Sequence, residues 1–304
     1  MGVLWCLISA AAFGLSPTFA KEAYQSGASV TELLTGRFVI AAVVLWAICA
    51  WRRPALPTRK VIATAVGLGA VGYAVQALCY FGAVARIDAS LAALLLYTFP
   101  ALVTALAVAL RRESLDRRKL AALACSAVGL VLLLGLGGVA EGGTTGVLLA
   151  LGAAVAYSLY LTVADGLPAD VDVYLLSAIV CTAAAITLGF AGGFQVPATA
   201  EGWLWTGLLG LVSTVLAMAT LFVGVRMLGA PTAAILSCAE PVVTMLSTSL
   251  VYGETLTPGQ LAGGVAVLTA VLVLRLDLDF VRQRQLVGRH APDTPVHSGH
   301  LDDR

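Results

Sequence analysis

The stretch VIATAVGLGAVGYAVQALCYFGAVA (residues 61–85) runs for twenty-five positions without a charged side chain. A helix needs roughly 20 apolar residues to cross the hydrocarbon core of a bilayer, so this stretch is long enough. The whole chain has the same character, because 60% of its 304 residues are hydrophobic and only 12% are charged. Soluble domains are usually about 45–50% apolar and about 25% charged. The composition therefore excludes an ordinary soluble enzyme and indicates a protein embedded in lipid.

Nine further segments of similar length and hydropathy accompany this one. The runs are continuous rather than alternating and are rich in Ala and Leu, which favours helices over a membrane β-barrel. The sequence therefore predicts an all-α membrane protein with ten transmembrane spans joined by short loops. The predicted spans, numbered in chain order, are residues 3–20, 33–51, 61–84, 89–110, 119–137, 146–164, 173–192, 203–224, 231–251 and 259–275.

Basic residues are divided unevenly between the two ends of these spans. With the N-terminus inside, fifteen of the eighteen Lys and Arg fall in inner loops and the C-terminal tail, whereas only Lys21 and Arg86 fall in outer loops. Because cytoplasmic loops carry an excess of basic residues, this bias predicts that both termini are cytoplasmic. The net charge of +1 offers no general basic surface for nucleic acid.

The chain also resembles itself after about 141–144 residues. Residues 2–20 and 146–164 share nine identities in nineteen positions. The pattern P-x12-E-x-L-x4-L-A, which composition does not readily produce, occurs at residues 100–121 and again at residues 241–262. Each half holds five predicted spans, an odd number, so the second half enters the membrane from the opposite side. Such inverted repeats are typical of secondary transporters.

The domain organisation is predicted from this repeat. Residues 1–137 form the first repeat with spans 1–5, residues 138–145 an outer linker, and residues 146–276 the second repeat with spans 6–10. Residues 277–304 form a cytoplasmic tail that holds all three His. The tail is rich in Pro, Gly and Asp, so we expect it to be disordered.

Glu240 is the most informative single residue. It lies near the middle of span 9, with thirteen uncharged residues on each side. A charged group there costs about 2.5–3.5 kcal/mol on insertion scales, so an intramembrane acid is a functional candidate by default. It either binds a substrate amine, couples a proton, or pairs with a neighbouring helix as a packing residue. Pro241 beside it and the repeat-related Pro100 are predicted hinges, because proline removes a backbone donor.

Other polar and aromatic residues recur on spans 1, 3, 4, 6 and 9. Each stripe alone is also typical of helix packing, but together they are predicted to line one central cavity. Arg37 in span 2 either provides a substrate or coupling charge or extends its long side chain to the interface. The predicted substrate-binding residues are Glu240, Gln76, Tyr80, Tyr97, Tyr157, Ser237, Phe13 and Ser16.

The sequence contains no motif for catalysis or for ATP hydrolysis. It has no Walker A, HExxH or GxSxG sequence, and its six Cys form no CxxC or Cys/His cluster. The GxGxxG at residues 67–72 lies inside an apolar span, where close helix packing explains it. We therefore predict no enzyme activity, metal, cofactor or ATPase partner. The expected partners are a small-molecule substrate and membrane lipid, with the chain a monomer or a weak homo-oligomer.

Four motifs carry a resemblance to a known family. They are AAFGLSPTFAK (11–21), GRFVIAA (36–42), YFGAVARIDASLAALLLYTFP (80–100) and AAILSCAEP (233–241). In this order they resemble the helix 1, helix 2, helix 3–4 and helix 9 signatures of the EamA branch of the drug/metabolite transporter superfamily. Phe13 stands where that family usually has Trp. The resemblance covers roughly residues 1–276.

This resemblance implies a ten-helix secondary transporter of small polar or amphipathic metabolites, often amino acids and often in the export direction. It also implies a central cavity lined mainly by spans 1, 3, 4, 6, 8 and 9. The first hypothesis is alternating-access transport of an amino acid or similar metabolite across the inner membrane of a bacterium, most often as export. Efflux of drugs or cations is the alternative, because many aromatics and one buried acid also suit a cation. A structural or assembly protein without transport is the alternative from another class.

Overall fold

The structure is a computed structural model that describes residues 1–84, 86, 89–112, 116–134, 143–192, 194–253, 257–259 and 261–269. All regular structure in these residues is helical. Glu113 and Glu254 of the repeated pattern, residues 138–142 of the predicted linker and the predicted tail at 277–304 lie outside the described residues.

The described residues form fourteen α-helices, two π-helical segments and a further helical stretch at residues 261–269. The π segments Leu68–Tyr73 and Leu211–Leu216 join α4 to α5 and α11 to α12. The helices are α1 (Gly2–Gly14), α2 (Ser16–Gln25), α3 (Val30–Arg52), α4 (Arg59–Gly67), α5 (Ala74–Val84), α6 (Ala89–Leu96), α7 (Phe99–Ala109), α8 (Arg117–Leu134), α9 (Gly143–Asp165), α10 (Val173–Gly192), α11 (Ala200–Gly210), α12 (Ala217–Leu228), α13 (Ala230–Ser237) and α14 (Glu240–Tyr252).

Seven helical stretches in the described part of the chain are long and apolar enough to cross a membrane. They are Gly2–Gln25, Val30–Arg52, Arg59–Tyr80, Gly143–Asp165, Val173–Gly192, Ala200–Leu228 and Ala230–Tyr252. Helical residues also fall within the other three predicted spans. The chain is thus an all-helical, multi-pass membrane protein, while the count of ten crossings and the side of the termini stay predictions.

Two of the spans are interrupted immediately before the predicted hinge prolines. The break between α6 and α7 precedes Pro100, and the break between α13 and α14 precedes Pro241. Each proline sits in the first turn of the following helix, where its missing N–H costs no helical hydrogen bond. The two breaks share one backbone pattern. The Thr98 N–H donates to the carbonyl three residues earlier at 3.2 Å, and the Ala239 N–H does the same at 3.1 Å. The two interruptions therefore have the same local geometry.

The predicted inner loops meet at one end of the helices. Arg52 at the end of α3 lies 3.5 Å from Asp172, in the loop between α9 and α10. Arg112 after α7 lies 3.8 Å from Asp165 at the end of α9. Arg226 of α12 donates to a backbone carbonyl of the same loop at 3.3 Å. The acidic loop thus faces basic residues from three neighbouring segments.

The predicted outer loops meet at the other end. The Thr199 hydroxyl before α11 donates to the Ser26 carbonyl after α2 at 3.2 Å. The Tyr252 hydroxyl at the end of α14 donates to Glu22 at 2.7 Å. These contacts agree with the predicted grouping of the loops they involve, while the full order of crossings stays a prediction.

The helices pack in pairs that the predicted repeat relates to one another. Helix α1 packs along α12, and its counterpart α9 packs along α5. Helices α3 and α10, the second helices of the two predicted repeats, form the most extensive contact. The buried core formed by these helices is largely Ala, Leu and Val. Small Ala side chains let the backbones approach closely, which is how helices associate in lipid.

Candidate functional site

Glu240 is the first residue of α14 and directly follows the break in span 9. The nine residues before it are all buried, yet Glu240 itself is partly accessible. An acidic residue in the middle of this apolar span is thus not fully enclosed by the helices around it. The unpaired N–H groups at the start of a helix favour a negative charge, so the break also supplies a favourable local field.

Tyrosines surround the Glu240 carboxyl group. Tyr97, at the matching break before α7, lies within hydrogen-bonding reach of it. Tyr80 on α5 and Tyr157 on α9 interact with it electrostatically, and so does Tyr73 at the end of the first π segment. Tyrosines from three predicted spans thus lie near one acid on a fourth span.

The aromatic rings form a continuous wall beside this acid. Tyr97 packs on Phe99, with ring centroids 6.0 Å apart. Phe99 meets Tyr157 edge-on at 4.7 Å, and Tyr157 stacks on Tyr160 at 6.0 Å. Tyr160 meets Tyr73 edge-on at 5.8 Å. A wall of this kind presents negatively polarised ring faces that attract cationic groups.

Helix α1 closes on Glu240 from the other side. A Cβ added at Gly14 would lie 2.7 Å from the Glu240 carbonyl oxygen, so only glycine permits this approach. The Thr244 hydroxyl of α14 donates to the Gly14 carbonyl at 2.9 Å. One turn further, the hydroxyls of Thr18 and Ser247 are 2.9 Å apart. The backbone of Glu240 therefore lies at a close helix contact that neighbouring hydroxyl groups support.

The predicted repeat relates this contact to a second one. Phe99 is the counterpart of Glu240 and is the first residue of α7. The Ser158 hydroxyl of α9 donates to the Phe99 carbonyl at 3.3 Å. Ser158 is the counterpart of Gly14, so the two helix-start contacts are equivalent in position. They differ in chemistry, because one carries a carboxyl group and the other a phenyl ring.

Arg37 lies inside the bundle rather than at the interface. Only 8% of the residue is exposed, and its guanidinium donates to Thr214, Tyr73 and the Ser213 carbonyl at 2.6, 3.2 and 2.9 Å. It interacts electrostatically with Glu240. These positions favour an internal role for Arg37 over an extension to the headgroup region.

The family comparison decides what class of protein carries this arrangement. The model of the EamA-like transporter family matches residues 1–135 and 144–276. The chain belongs to the EamA-like transporter family. It is therefore a multi-pass protein of the bacterial inner membrane, and the comparisons indicate a transporter rather than a catalyst.

Two relatives and one solved structure show how far the similarity extends. The EamA-like transporter is 27% identical over 277 residues to the uncharacterized transporter YcbK of Bacillus subtilis (strain 168), covering 86% of this chain and 88% of that one. It is 29% identical over 215 residues to an uncharacterized transporter of Archaeoglobus fulgidus, covering 69% and 75%. A crystal structure matches with a TM-score of 0.78 at 22% identity, covering 90% of this chain and 96% of that chain. At that identity the structural match shows a shared fold alone.

Not every predicted site residue of this EamA-like transporter joins the group around Glu240. Ser237 is buried, and its hydroxyl donates to the Ala233 carbonyl of its own helix at 3.0 Å. Gln76, Phe13 and Ser16 are partly accessible. Within the described residues, no hydrogen bond or ring contact joins these three side chains to the Glu240 group. Their role in binding stays a prediction.

Three residues of the aromatic wall were not among the predicted site residues. Phe99 is fully buried and bridges Tyr97 to Tyr157. Tyr73 on the first π segment and Tyr160 on α9 complete the wall. The repeat contained a signal for Phe99, because it aligns with Glu240. Helical spacing also placed Tyr73 and Tyr160 beside predicted residues but did not reveal their contact with one another.

A groove of about 500 Å³ lies between α9 and the segment from Thr64 to Val75, and Tyr160 of the aromatic wall contributes to its lining. Its lining includes Val71, Val155 and Leu159, which are exposed apolar side chains on the outside of the bundle. Such a surface is ordinary lipid contact, so this groove is not the candidate site.

Proposed function

We propose that this EamA-like transporter exports amino acids or similar small metabolites across the inner membrane by alternating access. The observation that carries the proposal is Glu240, a partly accessible acidic residue at a helix break with tyrosines from three other spans near it. Transport itself agrees with the family and with the uncharacterized transporters that the chain resembles. The substrate class, the direction and the mechanism are our inference from the site.

The chemistry of the site suits a small molecule with a cationic group. The Glu240 carboxylate can accept hydrogen bonds from a substrate ammonium, and such charge-assisted bonds are stronger than neutral ones. The ring faces of Tyr97 and Tyr157 can stabilise the same positive charge. The carboxyl group can alternatively carry a proton through the cycle. Both roles need an acid in the middle of a span, and the position of Glu240 at the break before α14 supports them.

The helix contacts supply a basis for alternating access. Helix α1 meets α14 at Gly14 and Glu240, and α9 meets α7 at Ser158 and Phe99. If the predicted inverted repeat holds, these two contacts lie on opposite sides of the site. Opening one while the other stays closed would expose the site to one face of the membrane at a time. The breaks before Pro100 and Pro241 provide the bends for this motion.

Efflux of lipophilic cations is the second candidate function, because an aromatic wall beside a lone acid also suits them. Counterflow in proteoliposomes with a panel of amino acids, other metabolites and lipophilic cations separates the two functions. We expect saturable exchange of an amino acid or similar polar metabolite. If only lipophilic cations are exchanged, the function is cation efflux and the proposal of amino-acid or metabolite export is wrong. Absence of exchange for every compound would refute transport and favour the structural role.

The substitution Glu240→Gln tests the role of the acid. We expect at least about a tenfold loss of exchange, because hydrogen bonds to charged groups contribute about 1.5–3 kcal/mol. The matched control is Glu201→Gln, which changes an exposed acid in the first turn of α11. The amount of folded protein should be unchanged in both variants. Wild-type exchange by the Glu240→Gln variant across a range of pH would remove the acid from both proposed roles.

A further inference from the structure

Two π-helical segments interrupt the structure at corresponding places. Leu211–Leu216 lies 143 residues after Leu68–Tyr73, which is within the spacing of the predicted repeat. Single π-helical turns are rare and occur frequently at functional sites. Each segment lies within a long apolar stretch. The same irregularity thus occurs once in each predicted half.

A π turn changes the backbone hydrogen bonding of its helix, because the bonds run to the fifth residue instead of the fourth. Backbone groups that lose a helical partner inside a membrane must find another, since no water is present. In the second segment, the Thr214 hydroxyl donates to the Leu209 carbonyl at 3.0 Å. The Ser213 carbonyl accepts from outside the helix, namely from Arg37 at 2.9 Å.

Arg37 contacts both π segments at once. Its Nε donates to the Thr214 hydroxyl at 2.6 Å, and its Nη2 donates to the Ser213 carbonyl, both in the second segment. The same Nη2 donates to the hydroxyl of Tyr73, the last residue of the first segment, at 3.2 Å. Arg37 itself lies on α3, so one side chain ties three helical stretches together.

The acceptors of Arg37 are all neutral. Neither Arg37 nor Glu240 forms an ion pair in the described part of the chain, although the two interact electrostatically. A guanidinium group presents its donors in a rigid plane, whereas an ammonium group is a single point charge. Three acceptors on two segments therefore require arginine specifically, and a general positive charge does not explain the geometry.

We propose that Arg37 is a positioning residue that clasps the π segments of the two halves together. Tyr73 belongs to the aromatic wall of the candidate site, so the clasp sets the position of the Tyr73 ring relative to the second predicted half. The clasp is also a contact that any relative movement of the halves must loosen and re-form. This last consequence rests on the proposed transport function, whereas the clasp itself does not.

The substitutions Arg37→Lys and Thr214→Val test the clasp. Lysine keeps the charge but has one nitrogen, and valine keeps the shape of Thr214 but removes its hydroxyl. Thr182→Val is the matched control, because the Thr182 hydroxyl also accepts from a nitrogen on α3, Trp46 Nε1 at 2.9 Å. It also donates to its own helix, to the Ala178 carbonyl at 2.7 Å. The control therefore removes the same kind of bond away from the π segments.

The first measurement is amide hydrogen exchange of the two π segments in lipid nanodiscs. We expect Arg37→Lys and Thr214→Val to raise the amide hydrogen-exchange rate about tenfold or more in both segments. A hydrogen bond to a charged group contributes about 1.5–3 kcal/mol, which corresponds to a change of that size. Thr182→Val should leave both segments unchanged. Faster exchange in Leu211–Leu216 alone, or equal effects of Thr214→Val and Thr182→Val, would overturn the clasp.

The second measurement is exchange transport of a compound that counterflow has identified. Loss of a positioning contact should lower kcat and leave KM nearly unchanged for Arg37→Lys. A raised KM with unchanged kcat would instead make Arg37 a substrate ligand and overturn the proposal. If counterflow finds no transported compound, the proposed function fails, and hydrogen exchange alone still decides whether the clasp exists.

Discussion

Replacing Gly14 by alanine should destabilise the contact between α1 and α14. The added methyl group would lie 2.7 Å from the Glu240 carbonyl oxygen and 2.7 Å from Val243 Cβ. Carbon atoms pack best at about 3.5–4.0 Å, so the helices would have to separate by roughly 1 Å. One of the two obstructing atoms belongs to the backbone and cannot rotate away. The change therefore affects the whole helix contact rather than one side chain.

The expected cost can be assembled from three effects. Overpacking costs about 1–3 kcal/mol, and weakening the Thr244 bond to the Gly14 carbonyl costs about 1 kcal/mol. Alanine in a helix recovers about 0.5–1 kcal/mol relative to glycine. The free energy of unfolding should therefore fall by about 1–3 kcal/mol. Exchange transport should fall as well, because the contact lies directly beside Glu240.

Steric-trapping measurements of unfolding free energy in lipid, with thermal unfolding as a second readout, check this prediction. The matched control is Gly207→Ala, because a Cβ at that α11 position meets nothing within 4 Å. That variant should be as stable as the wild type or slightly more stable. Equal stability of the Gly14→Ala and Gly207→Ala variants would refute the close approach at Glu240.

Two further predictions concern the aromatic wall and the hinge. Tyr160 is 2% exposed, and its hydroxyl has no hydrogen-bond partner in the described part of the chain. Tyr160→Phe should therefore leave the unfolding free energy unchanged or raise it by about 1–3 kcal/mol, whereas a loss of stability would reveal a bond that the structure lacks. Pro241→Ala should restore a backbone donor and straighten the break before α14. We expect full folded yield with a lower kcat in counterflow, and wild-type kcat would contradict the hinge role.

Hydropathy and charge predicted much of the scaffold because lipid imposes simple rules. Apolar stretches such as residues 61–85 must form helices, since a membrane leaves their backbone no other partner. The loop charges correctly placed Arg52, Arg112 and Arg226 at one end, and the structure explains the acidic loop among them. The breaks before Pro100 and Pro241 also follow from local chemistry, because proline lacks a donor.

The interior of the site was less predictable, because it depends on which helix faces which. Sequence spacing cannot distinguish a tyrosine that meets another ring, such as Tyr157, from one that meets lipid. The π segments had no signal in hydropathy, since a π turn retains the same apolar composition. Arg37 illustrates the limit: its sequence position suited an interfacial side chain equally well, and only the acceptors on the π segments decide between the two.

The arrangement of charge within the predicted repeat gives the strongest argument about mechanism. A protein built from two similar halves can reach two conformations of similar energy, because each half can adopt the other's packing. Perfect symmetry would give the site no polarity, and this chain departs from symmetry in its intramembrane charges. Glu240 is the first residue after the break in span 9, and Phe99 holds the corresponding position in span 4. Arg37 lies on α3, whereas the corresponding helix α10 carries no charged residue. The first predicted half thus supplies a guanidinium cation and the second a carboxyl group. A small molecule bound between Glu240 and Tyr97 would contact both predicted halves, so its binding and release could bias their relative position.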